Sequence, residues 1–407
     1  MDGLDPISIG VVAGLAVLAP LVASLIGRVA KVPLVVFEIV LGIVVGPSLL
    51  GWVNESGFID GLSEFGLAML FFMAGNEIDF KAISGRPLRR ASLGWLISLA
   101  AGVAAGLLVS PSIEAGIVVG IALTSTALGT IMPVLRDAGE LSTPFGRAVT
   151  AVGAVGEFGP LVAISVFLSG RAPLTAAVVL IGFVLVAGLA IFLASRGPYP
   201  RLHALVAATL HTSGQFAVRL VLFVVAALVV LSMVLGLDML LGAFAAGVLY
   251  RVLLKGGDRA DLKLVESKLE GVAFGFLVPI FFIYTGVTFD LTSLLSSPSS
   301  LVLMVASVVL LLLVRGLPGA LAAPPGSGRR DRVAIGLFSA TGLPIIVAVT
   351  GIGVAEGVLQ ASTAAALVGA GMLSVLLFPL LALGQRKRAL GGRTLPPDTE
   401  VHVPVEG

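Results

Sequence analysis

Cysteine is absent from this chain, histidine occurs three times, and charged residues fill only 12% of its 407 positions. Without a thiol there is no disulfide framework, no thiolate nucleophile and no cysteine metal site. Soluble domains carry roughly 25% charged residues, so no soluble catalytic or regulatory domain fits inside this chain. His-Glu-x-x-His, Gly-x-Gly-Asp and Gly-x-Ser-x-Gly are missing too, which argues against an intramembrane enzyme.

The chain is instead apolar, at 57% hydrophobic residues and a mean hydropathy of +1.12. A run of about 20 apolar residues crosses the hydrocarbon core of a bilayer as a helix. By that criterion thirteen spans are expected: 7–27, 33–50, 62–80, 91–110, 113–134, 145–168, 173–194, 217–235, 238–254, 271–289, 300–321, 333–354 and 361–383. The first run follows Asp2 and Asp5 in place of a basic region and shows no small-residue cleavage site, so it reads as a retained span. With the amino terminus outside, almost all of the 25 Lys and Arg residues fall in or beside inner loops. Arg171 falls outside and Arg315 falls well inside a span. That asymmetry predicts an inner carboxyl terminus and an odd number of spans.

Some spans resemble one another. Span 3, FGLAMLFFMAGNEIDF, matches span 10, FGFLVPIFFIYTGVTFD, with a one-residue slip; spans 2 and 9 each carry spaced glycines; spans 5 and 12 each carry a Ser/Thr-rich stretch. Each pair is seven spans apart. An odd offset sends the paired elements through the bilayer in opposite directions, as in inverted-repeat secondary transporters.

Glu157 stands near the middle of span 6 among about twenty uncharged residues, where an acidic side chain costs roughly 2.5 to 3.5 kcal/mol. Such residues face a bundle interior or a wet cavity and handle ions or protons, which makes Glu157 the candidate centre. Span 5 supplies Thr124, Ser125 and Thr126 in LTSTALG, and span 12 supplies Ser339, Thr341, Gly342 and Pro344 in FSATGLPII. If these helices break there, half-helix ends, free carbonyls and hydroxyls can surround a desolvated alkali cation. The alternative is that the hydroxyls bond back to their own helices and the proline only kinks. Arg315 in span 11 stays protonated, so it either pairs with Glu157 or snorkels to the inner interface.

Glu38, Glu77, Asp79 and Asp290 lie near span ends, as solvated or paired structural residues or as accessory groups along an ion path. His203 and His211 fall in an inner loop beside Arg201 and Arg219, either solvated or sensing pH.

VPLVVFEIVLGIVVGPSLLGW (32–52), with Glu38, Gly42, Gly46 and Pro47, is similar to the second-span signature of monovalent cation:proton antiporters of the bacterial sodium or potassium/proton exchanger type. AGNEIDF, LTSTALGTIMPVLRDAGELSTPFG, VRLVLFVVAALVVLSMVLGLDMLLGAFAAG and IFFIYTGVTFD resemble later signatures of that family, in the same order. The resemblance implies an all-α elevator fold of about thirteen transmembrane helices with inverted repeats, usually a homodimer. Residues 1–89 and 201–295 would form the dimer scaffold, 90–170 and 296–384 a moving core with two broken crossing helices, 171–200 a linker helix and 385–407 a polar cytoplasmic tail. Family members often hold an Asn, Asp or Gln before the ion-binding acid, where this chain has Gly156, and a basic residue at the position of Arg315.

The expected activity is exchange of a monovalent cation, sodium ahead of potassium, for protons through Glu157 in the cell (inner) membrane. Because Gly156 cannot titrate, one proton per cation and hence electroneutral exchange is expected. No cofactor, nucleic-acid partner or nucleotide-binding domain is expected, and only the lipid bilayer and the two ions are further partners. A potassium/proton antiporter on the same scaffold and a sodium-coupled symporter of an organic solute are the alternatives.

Overall fold

The computed structural model describes residues 5–26, 33–54, 56–168, 171–196, 209, 215–253, 259–296 and 298–389, so His203 and His211 lie outside the described residues. All regular elements among them are helical. Besides the short helices Phe80–Ile83 and Leu291–Ser296 they are, in chain order, α1 (Pro6–Ile26), α2 (Leu34–Val45), α3 (Gly57–Glu77), α4 (Arg86–Val109), α5 (Ile113–Ala122), α6 (Leu128–Asp137), α7 (Pro144–Phe167), α8 (Pro173–Ser195), α9 (Phe216–Val234), α10 (Met239–Leu253), α11 (259–287), α12 (Pro298–Ala322), α13 (Arg329–Ser339), α14 (Pro344–Ala355) and α15 (Ala361–Ala389). Among the described residues, ten helical stretches are long and apolar enough to cross a membrane, with α13 and α14 counted as one, and α2, α5 and α10 are shorter apolar helices. This is a multi-pass membrane protein.

Several spans end where backbone chemistry dictates. The expected span 33–50 stops as a helix at Val45, because Pro47 holds the residue before it out of the helical region. The chain then reverses through Gly51 at φ 63°, and Trp52 N and Val53 N donate to Val45 O at 2.9 and 3.0 Å. Span 10 starts earlier than its apolar run, since α11 begins at Arg259 and reaches Val278 through a π-helical turn, Ala273–Leu277. α12 holds a second π-helical turn, Leu311–Gly316, which contains Arg315.

The chain forms two compact units, Met1–Ile78 with Pro160–Ser300 and Asp79–Gly159 with Leu301–Gly407. One of the divisions falls inside α7, between Gly159 and Pro160.

In the first unit, α2 packs on the 278–287 half of α11, and α3 packs on α10. In lipid, helices gain little hydrophobic energy by meeting, so association depends on close van der Waals approach at small residues. Both contacts are built that way. A Cβ at Gly42 would stand 2.0 Å from Ile283 O, and one at Gly286 would stand 2.1 Å from Ile39 O. In the α3–α10 contact, a Cβ at Gly75 would stand 2.2 Å from Phe244 O and one at Gly247 would stand 2.0 Å from Phe72 O. Spans 2 and 9 correspond by sequence, as do spans 3 and 10, so these contacts are images of one another. An inverted repeat produces this exchange of partners. Val12, Leu15, Val45, Ile59, Ile280 and Ile283 form an apolar core where α1, α2, α3 and α11 meet.

In the second unit, α4 packs on α5, α13 and α14 on α15, and α5 on α14. The polar tail expected from residue 385 begins inside a helix instead, because α15 continues to Ala389. Arg386 gives the reason: its Nε donates to Glu140 Oε1 at 2.7 Å, its Nη1 donates to Asp331 Oδ1 at 2.9 Å, and its guanidinium lies 4.5 Å from the centre of the Phe145 ring.

Candidate functional site

Both hydroxyl-rich stretches are breaks. Between α5 and α6 the chain is non-helical from Leu123 to Ala127. Thr124 Oγ1 donates to Ile121 O at 2.8 Å and Ser125 Oγ to Ala122 O at 2.9 Å, while the backbone bonds tighten from four to three residues' separation. Local bonds of this kind compete with the helix ladder. The next two N–H groups leave the helix altogether: Thr126 N donates to Gly156 O at 3.0 Å and Ala127 N to Thr341 O at 2.7 Å.

Between α13 and α14 the helix is interrupted from Ala340 to Leu343, and Pro344 opens α14 at a position where a missing N–H costs nothing. Ser339 Oγ and Thr341 Oγ1 donate back to Ile335 O and Leu337 O at 2.6 and 3.1 Å. Gly342 N donates to Ser374 Oγ of α15 at 3.1 Å, and the same hydroxyl lies 3.1 Å from Gly342 O.

The two breaks touch. Besides the Ala127–Thr341 bond, Thr126 Oγ1 donates to Ser339 O at 2.7 Å, and a Cβ on Gly342 would lie 2.6 Å from Ser125 Oγ. Only glycine fits there without displacing that hydroxyl. The crossing therefore brings together the carboxyl ends of α5 and α13 and the amino ends of α6 and α14, with opposite partial charges. The hydroxyls of Thr124, Ser125, Ser339 and Thr341 give their protons to carbonyls, which leaves oxygen lone pairs able to coordinate a cation.

Glu157 is 2% exposed in α7, and the carbonyl of its neighbour Gly156 is the one that accepts from Thr126 N. The broken helix is thus stitched to α7 one residue from the carboxylate. Arg315 is 0% exposed. Its Nε donates to Thr126 Oγ1 at 2.9 Å and its Nη2 to Val152 O at 2.8 Å, while Nη1 has no hydrogen-bond partner among the described residues. This corrects one expectation for that residue: the guanidinium does not snorkel, and it donates to Thr126 and Val152 inside the protein. Its side chain is fixed by the breaks and by the α7 backbone.

The other acids lie elsewhere. Glu38, buried on α2, and Glu77, half-buried at the end of α3, belong to the first unit. Asp290 accepts from Ser293 N at 2.8 Å and from the Ser293 hydroxyl, and so caps the short helix that follows it. Sequence reasoning missed Ser374, because one serine in an apolar span reads as a helix-bonded hydroxyl. It also missed Val152, which takes part only through its carbonyl, and the π-helical turn that presents Arg315.

Two interrupted helices bonded across their breaks, beside a buried carboxylate and a buried guanidinium, define the broken-helix, inverted-repeat class of membrane transporter folds. Within that class the chain belongs to the sodium/hydrogen exchanger family, whose transmembrane family model matches residues 13–383. YjbQ of Bacillus subtilis is 24% identical over 369 residues, covering 86% of this chain and 58% of its own length, so the chain spans less than two thirds of that relative. The Na+/H+ antiporter of Enterococcus hirae is 24% identical over 380 residues, covering 90% of this chain and 95% of its own. The solved structure of the sodium proton antiporter MjNhaP1 from Methanocaldococcus jannaschii shares the fold, with a TM-score of 0.66, 17% identity, and coverage of 94% and 97% of the two chains.

Proposed function

We propose that this chain exchanges a monovalent cation, sodium first, for protons, and that Glu157 binds the two ions in turn. The observation that carries the reading is the burial of Glu157 in α7, stitched next to a crossing of two broken helices that presents hydroxyl oxygens. Family membership over residues 13–383 and the Enterococcus hirae relative, a Na+/H+ antiporter by name, support it.

An ionised carboxylate is costly to hold away from water, so Glu157 must carry a proton or a cation before it can cross a barrier. The two ligands compete for one site. A body that moves when loaded with either, and stays when empty, exchanges one for the other. Gly156 offers no second titratable group, so the stoichiometry is one proton per cation and the exchange is electroneutral. In this reading the unit containing Asp79–Gly159 and Leu301–Gly407 carries the ion and the other unit is the scaffold of a homodimer. The chain sits in the cell membrane with its amino terminus outside, and acts by transport without covalent catalysis.

The test is a dye assay in proteoliposomes under an imposed pH gradient, adding sodium, potassium or lithium in turn. Sodium should dissipate the gradient at the lowest concentration, and Glu157→Gln should abolish dissipation by every ion. Exchange that persists in Glu157→Gln refutes the site; solute-dependent sodium uptake with no proton counterflow refutes the antiport.

A further inference from the structure

From Pro144 to Glu157, α7 carries only three polar side chains, Arg147, Thr150 and Glu157. With Ala154 they stand at 147, 150, 154 and 157, and this three-and-four spacing puts all of them on one face of the helix. Exposure falls along that face from the amino end: Arg147 is exposed, Thr150 is half-buried, Ala154 is 4% exposed and Glu157 is 2% exposed. Past Glu157 the same register continues with Leu161 and Ile164, both apolar and buried, so the polar stripe runs to one end of the helix only.

Thr150 differs from other hydroxyls within the helices. Ser98, Ser232, Thr285 and Thr350 each donate to a carbonyl of their own helix, three or four residues back. Thr150 Oγ1 instead donates to Met132 Sδ of α6 at 3.7 Å. A thioether is a weak acceptor, so this proton turns readily to water and the oxygen lone pairs stay open to a cation. Arg147, at the exposed end of the stripe, has no ion-pair partner among the described residues.

We propose that this face of α7 is the route by which a cation reaches Glu157 from the amino end of the helix, and that Arg147 sets the apparent affinity on that side. Positions 147 and 157 are about 15 Å apart along the helix axis, which exceeds a Debye length of about 8 Å. The guanidinium therefore acts on the approach and leaves the bound ion nearly untouched. A fixed positive charge at the mouth lowers the local cation concentration and raises the concentration needed for half-maximal exchange. Thr150 is the hydroxyl stop between the mouth and the carboxylate. The inference rests on the reading of Glu157 as the ion site, and the topology proposed above puts the mouth on the cytoplasmic side. An arginine that only anchored the helix end would leave the affinity for the cation unchanged.

Everted membrane vesicles present the cytoplasmic side to the assay. There Arg147→Gln should lower the sodium concentration for half-maximal exchange by about threefold or more, with the maximal rate within about twofold of the unaltered protein. Arg147→Lys keeps the charge and should restore the unaltered value. Concentrated choline chloride should erase the difference by screening, and right-side-out vesicles should show none. An unchanged half-maximal concentration in Arg147→Gln, a shift that survives choline chloride, or an equal shift on both sides overturns the proposal. Because the chain has no cysteine, the route is also readable without transport. In everted vesicles a charged thiol reagent should label Thr150→Cys and spare Val149→Cys, whose position is 1% exposed on the adjoining face. A Thr150→Cys variant that labels no faster than Val149→Cys refutes the route. Exchange persisting in Glu157→Gln removes the site reading and leaves this labelling contrast measurable, so the two failures are distinguishable.

Discussion

The breaks at 123–127 and 340–343 occupy matching places in the two repeats, yet they are held open by different means. The second is written into its own residues: Gly342 tolerates the close approach of Ser125, Pro344 cannot continue the ladder, and one hydroxyl, Ser374, ties off Gly342. The first has neither proline nor glycine between Leu123 and Ala127. Its backbone stays out of the helix because distant groups bind it: Gly156 O, Thr341 O and, through Thr126, Arg315. One break is local chemistry and the other is tertiary structure. The first should therefore be much more sensitive to the loss of a single partner.

Thr126→Val is the strongest way to break the comparison. The substitution is nearly isosteric, but it takes the acceptor from Arg315 Nε and the donor from Ser339 O, inside a site where both residues are buried. Leaving part of a buried charge unsatisfied should cost about 3 kcal/mol and lower the unfolding midpoint in detergent, with at least a tenfold loss of exchange. Ser374→Ala comes next. It orphans Gly342 N but leaves the glycine and proline in place, so a cost of about 1 to 2 kcal/mol is expected, with exchange within about threefold of the unaltered rate. Pro344→Ala should be mildest, within about 1 kcal/mol, since alanine is acceptable at the first position of α14 and Gly342 still holds the break. A larger loss from Pro344→Ala than from Thr126→Val would reverse the comparison.

The same contrast explains what could be read in advance. The GLP of span 12 announces its own break because glycine and proline act on the backbone where they stand. The hydroxyls at 124–126 announce a break only conditionally, and their three neighbours in sequence gave no hint that Thr126 would turn away from its own helix while Thr124 and Ser125 bond back to theirs. Arg315 was visible as a charge that needs partners. Which partners was not visible: a carbonyl at Val152 has no sequence signal, and the π-helical turn at 311–316 that sets the direction of the side chain leaves no pattern among apolar residues. The carboxyl end of α15 was misjudged for a related reason. Polar residues from Gln385 resemble a tail until Glu140 and Asp331, far away in the chain, give Arg386 a reason to remain helical.

By itself the sequence determined that this chain lives in a membrane, where most of its spans lie, which spans repeat one another, and that a single carboxylate stands in the middle of span 6. Those properties follow from transfer energies and backbone preferences that each short segment carries with it. Only the tertiary structure decided that the two breaks bond to each other and that Arg315 goes to Thr126 and Val152. These outcomes depend on which polar groups meet once water is gone, and no segment specifies that alone.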